Sequence, residues 1–237
     1  MTRLRTTLSQ YPFAILLATL SLMLGLSPVI SLFGEFSALF EGLRALLPLS
    51  LLVVSASAFA LWQRRHHHAL HLLAAIFVAI FLALGGFITH RSFAVVQLST
   101  QIVFLLYVLW SVIRVVFSTR DVTADILCGS VCVYLLTGVV AGLVFVLIEI
   151  SFPGSYLITG PEGAAGSDQV LIHDPGWLLY FSFVTLTTVG YGDIVPASNI
   201  ARSAAVVVAV AGQILLMVMI ARLVGLHVVQ AAAPPES

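Results

Sequence analysis

Apolar residues along this chain gather into six long runs, at about 12–33, 43–62, 69–89, 93–117, 125–150 and 202–227, parted by short stretches that hold most of the charge. A helix rises about 1.5 Å per residue, so each run is long enough to cross an apolar layer about 30 Å thick. A seventh apolar segment, Trp177 to Thr187, is too short for that. Its 11 residues make about 16 Å of helix, so it is expected to enter the layer and turn back. Asp174 suits the capping position of that short helix and Pro175 its first turn, where a missing N–H costs little. The pattern predicts an all-α membrane protein with six transmembrane helices plus a re-entrant helix between the fifth and sixth.

Composition agrees. With 60% hydrophobic and 8% charged residues among 237, and a mean hydropathy of +1.12, the chain has too little polar surface for a soluble domain of its size. Net charge is zero and there is no basic tract, so no nucleic-acid partner is expected. All ten cations are arginines. Placing the amino terminus inside puts Arg3, Arg5, Arg64, Arg65, Arg114, Arg120 and Arg222 on the cytoplasmic face and only Arg44, Arg91 and Arg202 outside, as the positive-inside rule requires. Glu35, Glu41, Glu149, Glu162, Asp168, Asp174 and Asp193 then fall outside, where an acidic surface would concentrate cations within about 10 Å at ordinary salt. Arg3 and Arg5 also suit a leader peptide, but the apolar run behind them exceeds the usual length of about 7–15 residues, so a span is expected. The predicted setting is the cell membrane, multi-pass, with both termini cytoplasmic.

Chemistry concentrates in Thr188-Val189-Gly190-Tyr191-Gly192-Asp193, directly after the short helix. Consecutive backbone carbonyls and one threonine hydroxyl can replace the hydration oxygens of a cation without formal charge. Gly190 and Gly192 fall where stacked, inward-facing carbonyls need positive backbone dihedrals that disfavour a side chain. The carboxyl end of the short helix, partially negative, would point at the same place.

The run TLTTVGYGD, residues 185–193, between an apolar pore-helix sequence and a further apolar span, resembles the potassium channel superfamily. The resemblance covers roughly residues 125–227, and the stretch GQILLMVMIARLVG is similar to the inner helix of bacterial six-span channels. It implies a homotetramer, since one strand cannot surround an ion, and passive conduction with potassium ions as the bound metal and permeant ligand. No catalytic residue, enzymatic activity or other cofactor is expected. Thr188, Val189, Gly190, Tyr191 and Gly192 are the expected potassium-binding residues, with Thr187 and Asp193 as filter support and Tyr191 packing behind the filter. Some bacterial relatives pair this aspartate with a pore-helix glutamate, but the matching position here is Val184.

Elsewhere the readings stay open. Gly212 is either a hinge of the inner helix or a close helix contact, and neighbouring Gln213 should face the bundle or a cavity. Met219, Ile220 and Leu223 are candidates for an inner gate that closes by dewetting, or plain packing residues. Gly138 and Gly142 predict close packing, with the sixth span as the expected partner. Cys128 and Cys132 read as small packing residues rather than a metal site. The cluster His66, His67, His68 and His71 is either a proton sensor or, with Arg64 and Arg65, an anchor to anionic headgroups of membrane lipids.

The expected division is a peripheral four-helix domain at 1–117, a cytoplasmic linker at 118–124, a pore domain at 125–227 and a short tail at 228–237. The fourth span resembles a voltage sensor in position only. Arg91 and Arg114 lie about 35 Å apart along a helix, whereas a sensor moves about three or four charges per subunit through the field. Strong voltage gating is therefore not expected. The competing readings are a potassium transporter subunit, whose family usually reduces the motif to one glycine and carries several loops per chain, and a membrane sensor that does not conduct.

Overall fold

The computed structural model describes residues 12–32, 91–119, 123–159 and 176–232. The spans expected at 43–62 and 69–89, the cap at Asp174 and Pro175, the His66–His71 cluster and most of the 151–176 loop lie outside the described residues. In chain order the elements are α1 (Pro12–Leu32), α2 (Arg91–Ser118), α3 (Ala124–Ser151), β1 (Tyr156–Ile158), α4 (Gly176–Leu186), β2 (Ile194–Pro196) and α5 (Asn199–Ala232). Among the described residues α2, α3 and α5 are long and apolar enough to cross a membrane.

Helix α4 matches the short helix expected from hydropathy within one residue at each end. Helix α5 starts three residues before the apolar run, because Ser198 caps it: its hydroxyl oxygen accepts from the Ala201 amide at 3.2 Å. The loop after α3 departs from expectation. The Gly- and Pro-containing sequence of residues 151–176 reads as a turret loop, yet β1 near its start pairs antiparallel with β2, matching Tyr156 to Pro196 and Ile158 to Ile194.

The described residues fall into two compact units. One contains α1, α2 as far as Val116, and Ala124–Val133 of α3; the other contains Phe117–Thr123 and the chain from Tyr134 onward. The boundary between the two units falls within α3.

In the first unit, Asp125 reaches the start of α1, its Oδ1 accepting from the amides of Phe13 at 3.1 Å and Ala14 at 3.2 Å. These are first-turn donors that no intrahelical carbonyl can satisfy. Phe13, Leu16 and Leu20 share one face of α1 and are buried. Gly129 permits this docking, since a Cβ there would stand 3.0 Å from the Phe13 ring and 2.9 Å from Val116. The Cys132 thiol donates to the Phe13 carbonyl at 3.5 Å, a packing role. No group of three metal-ligating side chains occurs among the described residues.

In the second unit the partner of Gly138 and Gly142 is α4, not the sixth span that the sequence suggested. A Cβ on Gly138 would run into the Phe183 ring, and one on Gly142 would lie 3.0 Å from the Leu179 backbone. Ser182, fully buried, sits in the same contact, its hydroxyl 2.6 Å from the Leu179 carbonyl and 2.8 Å from that of Gly138. The short helix is therefore seated on α3 backbone to backbone. Rings of Phe145, Tyr156 and Phe181, with centroids 5.2–5.6 Å apart, lock its outer half to β1.

Candidate functional site

Beyond Leu186 the chain folds back on the helix it has just left. The amides of Thr188, Val189 and Gly190 donate to the carbonyls of Thr185 at 3.0 Å and of Val184 at 3.0 and 3.4 Å. The Thr187 hydroxyl donates to the Phe183 carbonyl at 2.6 Å. The next residues alternate in the sign of φ, positive at Thr188 (60°), Gly190 (59°) and Gly192 (79°). Such alternation turns successive carbonyls to one side instead of opposite sides. Among the described residues no donor reaches the carbonyls of Thr188, Val189, Gly190 or Tyr191.

Gly190 and Gly192 have the positive dihedrals expected of them, and a Cβ at either would meet nothing within 4 Å. The demand for glycine is thus purely a backbone one. Thr188 takes the same left-handed conformation with a side chain, at a cost of about 1–2 kcal/mol. That strain was not anticipated, although the two-residue spacing of the glycines points back to position 188. The Val189 and Tyr191 side chains are 53% and 72% exposed. Their own chain therefore does not supply the packing expected for Tyr191.

At the far end of this run Asp193 is held by a residue that the sequence reading missed. Tyr180 donates its hydroxyl to Asp193 Oδ2 at 2.6 Å, while Oδ1 accepts from the Ile194 amide at 3.0 Å. Tyr180 precedes Val184 by one helical turn on the same face, so a partner for Asp193 was there to be found one turn earlier. The hydrogen bond to Asp193, then burial and the charge of Asp193, push the Tyr180 phenol up to about 12. It stays protonated and donating at any physiological pH.

Glu149, one of the seven acids expected to contribute to an exposed acidic surface, does not do so. It is 1% exposed, and its carboxylate accepts from the amides of Gly154 at 2.8 Å and Tyr156 at 3.1 Å. It shapes the turn from α3 into β1 and adds nothing to an exposed field. Burial, then the charge of Glu149, raise the Tyr156 phenol above its ordinary range. Arg202, at the other end of β2, donates to the Pro196 carbonyl at 3.3 Å.

On α5, Gly212 lies against the Leu186 carbonyl, the last of α4, which also accepts from the Tyr134 hydroxyl at 3.3 Å. Of the two readings of Gly212, a close helix contact is the one present. Gln213 and Ile220 are exposed, Leu223 is half-buried, and Met219 is buried within its own chain. At the inner end Arg222 donates to the Thr119 carbonyl at 2.6 Å and stacks 4.8 Å from the Phe117 ring. Between α4, the strand after it and α5 opens a recess of about 400 Å³, lined chiefly by Phe181, Val184, Thr185, Ile194, Val206 and Ala209.

Residues 125–228 match the model of the protein family described as ion channel. That segment, less than half of the chain, includes every candidate filter, hinge and gate residue named above, but not the His66–His71 cluster. Neither a curated protein nor a solved structure matches the chain. The chain thus carries an ion channel domain within a mostly helical membrane protein.

Proposed function

We propose that the chain forms a potassium-selective channel, a homotetramer in the cell membrane of a bacterium, in which Thr188 to Tyr191 of four protomers stack their carbonyls around a single file of ions. The observation that carries this reading is the run of carbonyls free of any donor among the described residues, on a backbone alternating in φ and pinned to α4 from behind. A bare potassium ion needs its hydration oxygens replaced, and four such rings supply them. Conduction is passive, and no chemistry is done on the ion.

Assembly from one kind of chain is supported by two complementary features of the protomer. Tyr191 projects into solvent at 72% exposure, and the recess beside the filter is open and largely apolar. A contact in which one protomer's tyrosine enters its neighbour's recess is head-to-tail, the kind that makes a ring when its rotation closes. The outer face of α5, with Val206, Val207, Val210, Ile214 and Met217 exposed, is apolar enough to lie against lipid or a neighbour. With Met219 turned inward, an inner constriction would rest on Ile220 and Leu223. Opening is proposed to be only weakly dependent on voltage, since α2 carries Arg91 and Arg114 alone, and Arg114 is stacked 5.0 Å from the Trp110 ring.

Purified protein reconstituted in bilayers is expected to show unitary current steps, with potassium and rubidium passing far better than sodium. Equal sodium and potassium currents, or flux without steps, would refute the reading; the latter is the behaviour of a transporter. Tyr180→Phe should shorten open bursts severalfold at low potassium, because Asp193 loses a charge-assisted bond worth about 1.5–3 kcal/mol when shielded and less at this half-open site. Burst lengths equal to wild type would show that the Tyr180 bond does not support the filter.

A further inference from the structure

The strand β1 does not end at Ile158 in hydrogen-bonding terms. In register with Ile158 opposite Ile194, Thr159 comes to lie beside Asp193, and its amide donates to the Asp193 carbonyl at 2.7 Å. Its hydroxyl goes one residue further. Thr159 Oγ1 lies 2.6 Å from the Gly192 carbonyl oxygen and 3.1 Å from that of Asp193. A hydroxyl has one proton to give, and the shorter distance assigns it chiefly to Gly192.

Gly192 is thereby set apart from the four residues before it. Their carbonyls meet no donor among the described residues, whereas its own is drawn toward the loop between α3 and α4. Among the described residues nothing packs against this glycine. Gly192 has no side chain, its φ is +79°, and a Cβ built on it would touch nothing within 4 Å. A glycine in open space has no steric preference to decide which way its carbonyl faces, so a single strong hydrogen bond decides it.

We infer that Thr159 is a positioning residue for the outer mouth: its hydroxyl holds the Gly192 carbonyl toward the turret and so competes with a cation for the fifth and outermost carbonyl ring. The inference rests on the channel reading above and deepens it. It moves Gly192 from a constant ligand to a ligand regulated by a residue 33 positions earlier, and gives the β1–β2 pairing a purpose, since that pairing is what brings Thr159 into register.

The test is a titration of single-channel current with potassium on the turret side, the other side held fixed, for wild type, Thr159→Val and Thr159→Ser. Valine keeps the shape and removes the proton. The half-saturating turret-side potassium should fall by roughly three- to tenfold in Thr159→Val, the range of one net hydrogen bond, and Thr159→Ser should titrate like wild type. Titration from the opposite side should not move. An unchanged value in Thr159→Val, an equal shift in Thr159→Ser, or the same shift from both sides overturns the inference while leaving the channel reading intact. Wild-type protein without potassium-selective current overturns both. Should Thr159→Val carry no current, potassium-dependent thermal unfolding in detergent reads the same affinity, and coincidence with wild type there overturns the inference.

Discussion

Alanine at Gly190 is expected to abolish potassium-selective current, by at least about a hundredfold, while leaving the protein folded and assembled. The reason is confined to the backbone. A Cβ at this position would have open space around it, so nothing is displaced, but φ is +59° and an L-residue held there costs about 1–2 kcal/mol. In the proposed ring of four the cost would recur in every protomer, about 4–8 kcal/mol in all, enough to favour a flipped peptide that turns the carbonyl from the proposed axis. Bilayer recordings with sodium and potassium on opposite sides give the answer. A Gly190→Ala channel as selective as wild type would remove the filter assignment, whatever else the protein does.

Gly212→Ala is expected to lower thermal stability and current together. On propensity alone alanine would favour the helix by about 0.8–1 kcal/mol. Against this stands a direct collision of the new Cβ with the Leu186 carbonyl and a contact of 2.9 Å with the Leu186 side chain. Backbone cannot yield as a flexible side chain does, and the Leu186 carbonyl is also tied to Tyr134. Overpacking of this kind costs about 1–3 kcal/mol, so the clash wins. Because Leu186 immediately precedes Thr187 and Thr188, whatever moves it disturbs the first carbonyl of the proposed filter. Gly225→Ala, where nothing lies within 4 Å, is the control and should melt no lower than wild type. If Gly212→Ala melts at or above wild type and alters only the frequency of opening, the glycine serves as a hinge.

Much of the site was legible from residue order. The lengths of α2 and α3 follow from unbroken apolar runs, and the ends of α4 from a run too short to span, whereas α5 begins three residues before its apolar run and continues five beyond it. Gly190 and Gly192 announce positive dihedrals because no other residue takes them without strain. All of these are local properties, decided within one or two turns of the residue concerned.

What could not be read concerns which distant groups meet. Glu149 looks like any other acid beside a membrane, and only the fold of β1 beneath it reveals a buried carboxylate satisfied by two amides. The small residues at 138 and 142 state that a backbone comes close without saying whose, and the nearer candidate in space proved to be α4. Met219 and Ile220 are adjacent in sequence and alike in chemistry, but the rotation of α5 buries one and exposes the other. Asp193 finds Tyr180 on the facing helix turn, and Gly192 finds Thr159 through strand pairing. Sequence alone determined where apolar matter, sharp turns and a row of carbonyls lie, since these depend on each residue's own transfer energy and dihedral freedom. Tertiary structure decided which carbonyls remain free and which are held, because a hydrogen bond depends on separation and angle in space, and residues 33 positions apart, like Thr159 and Gly192, carry no trace of either.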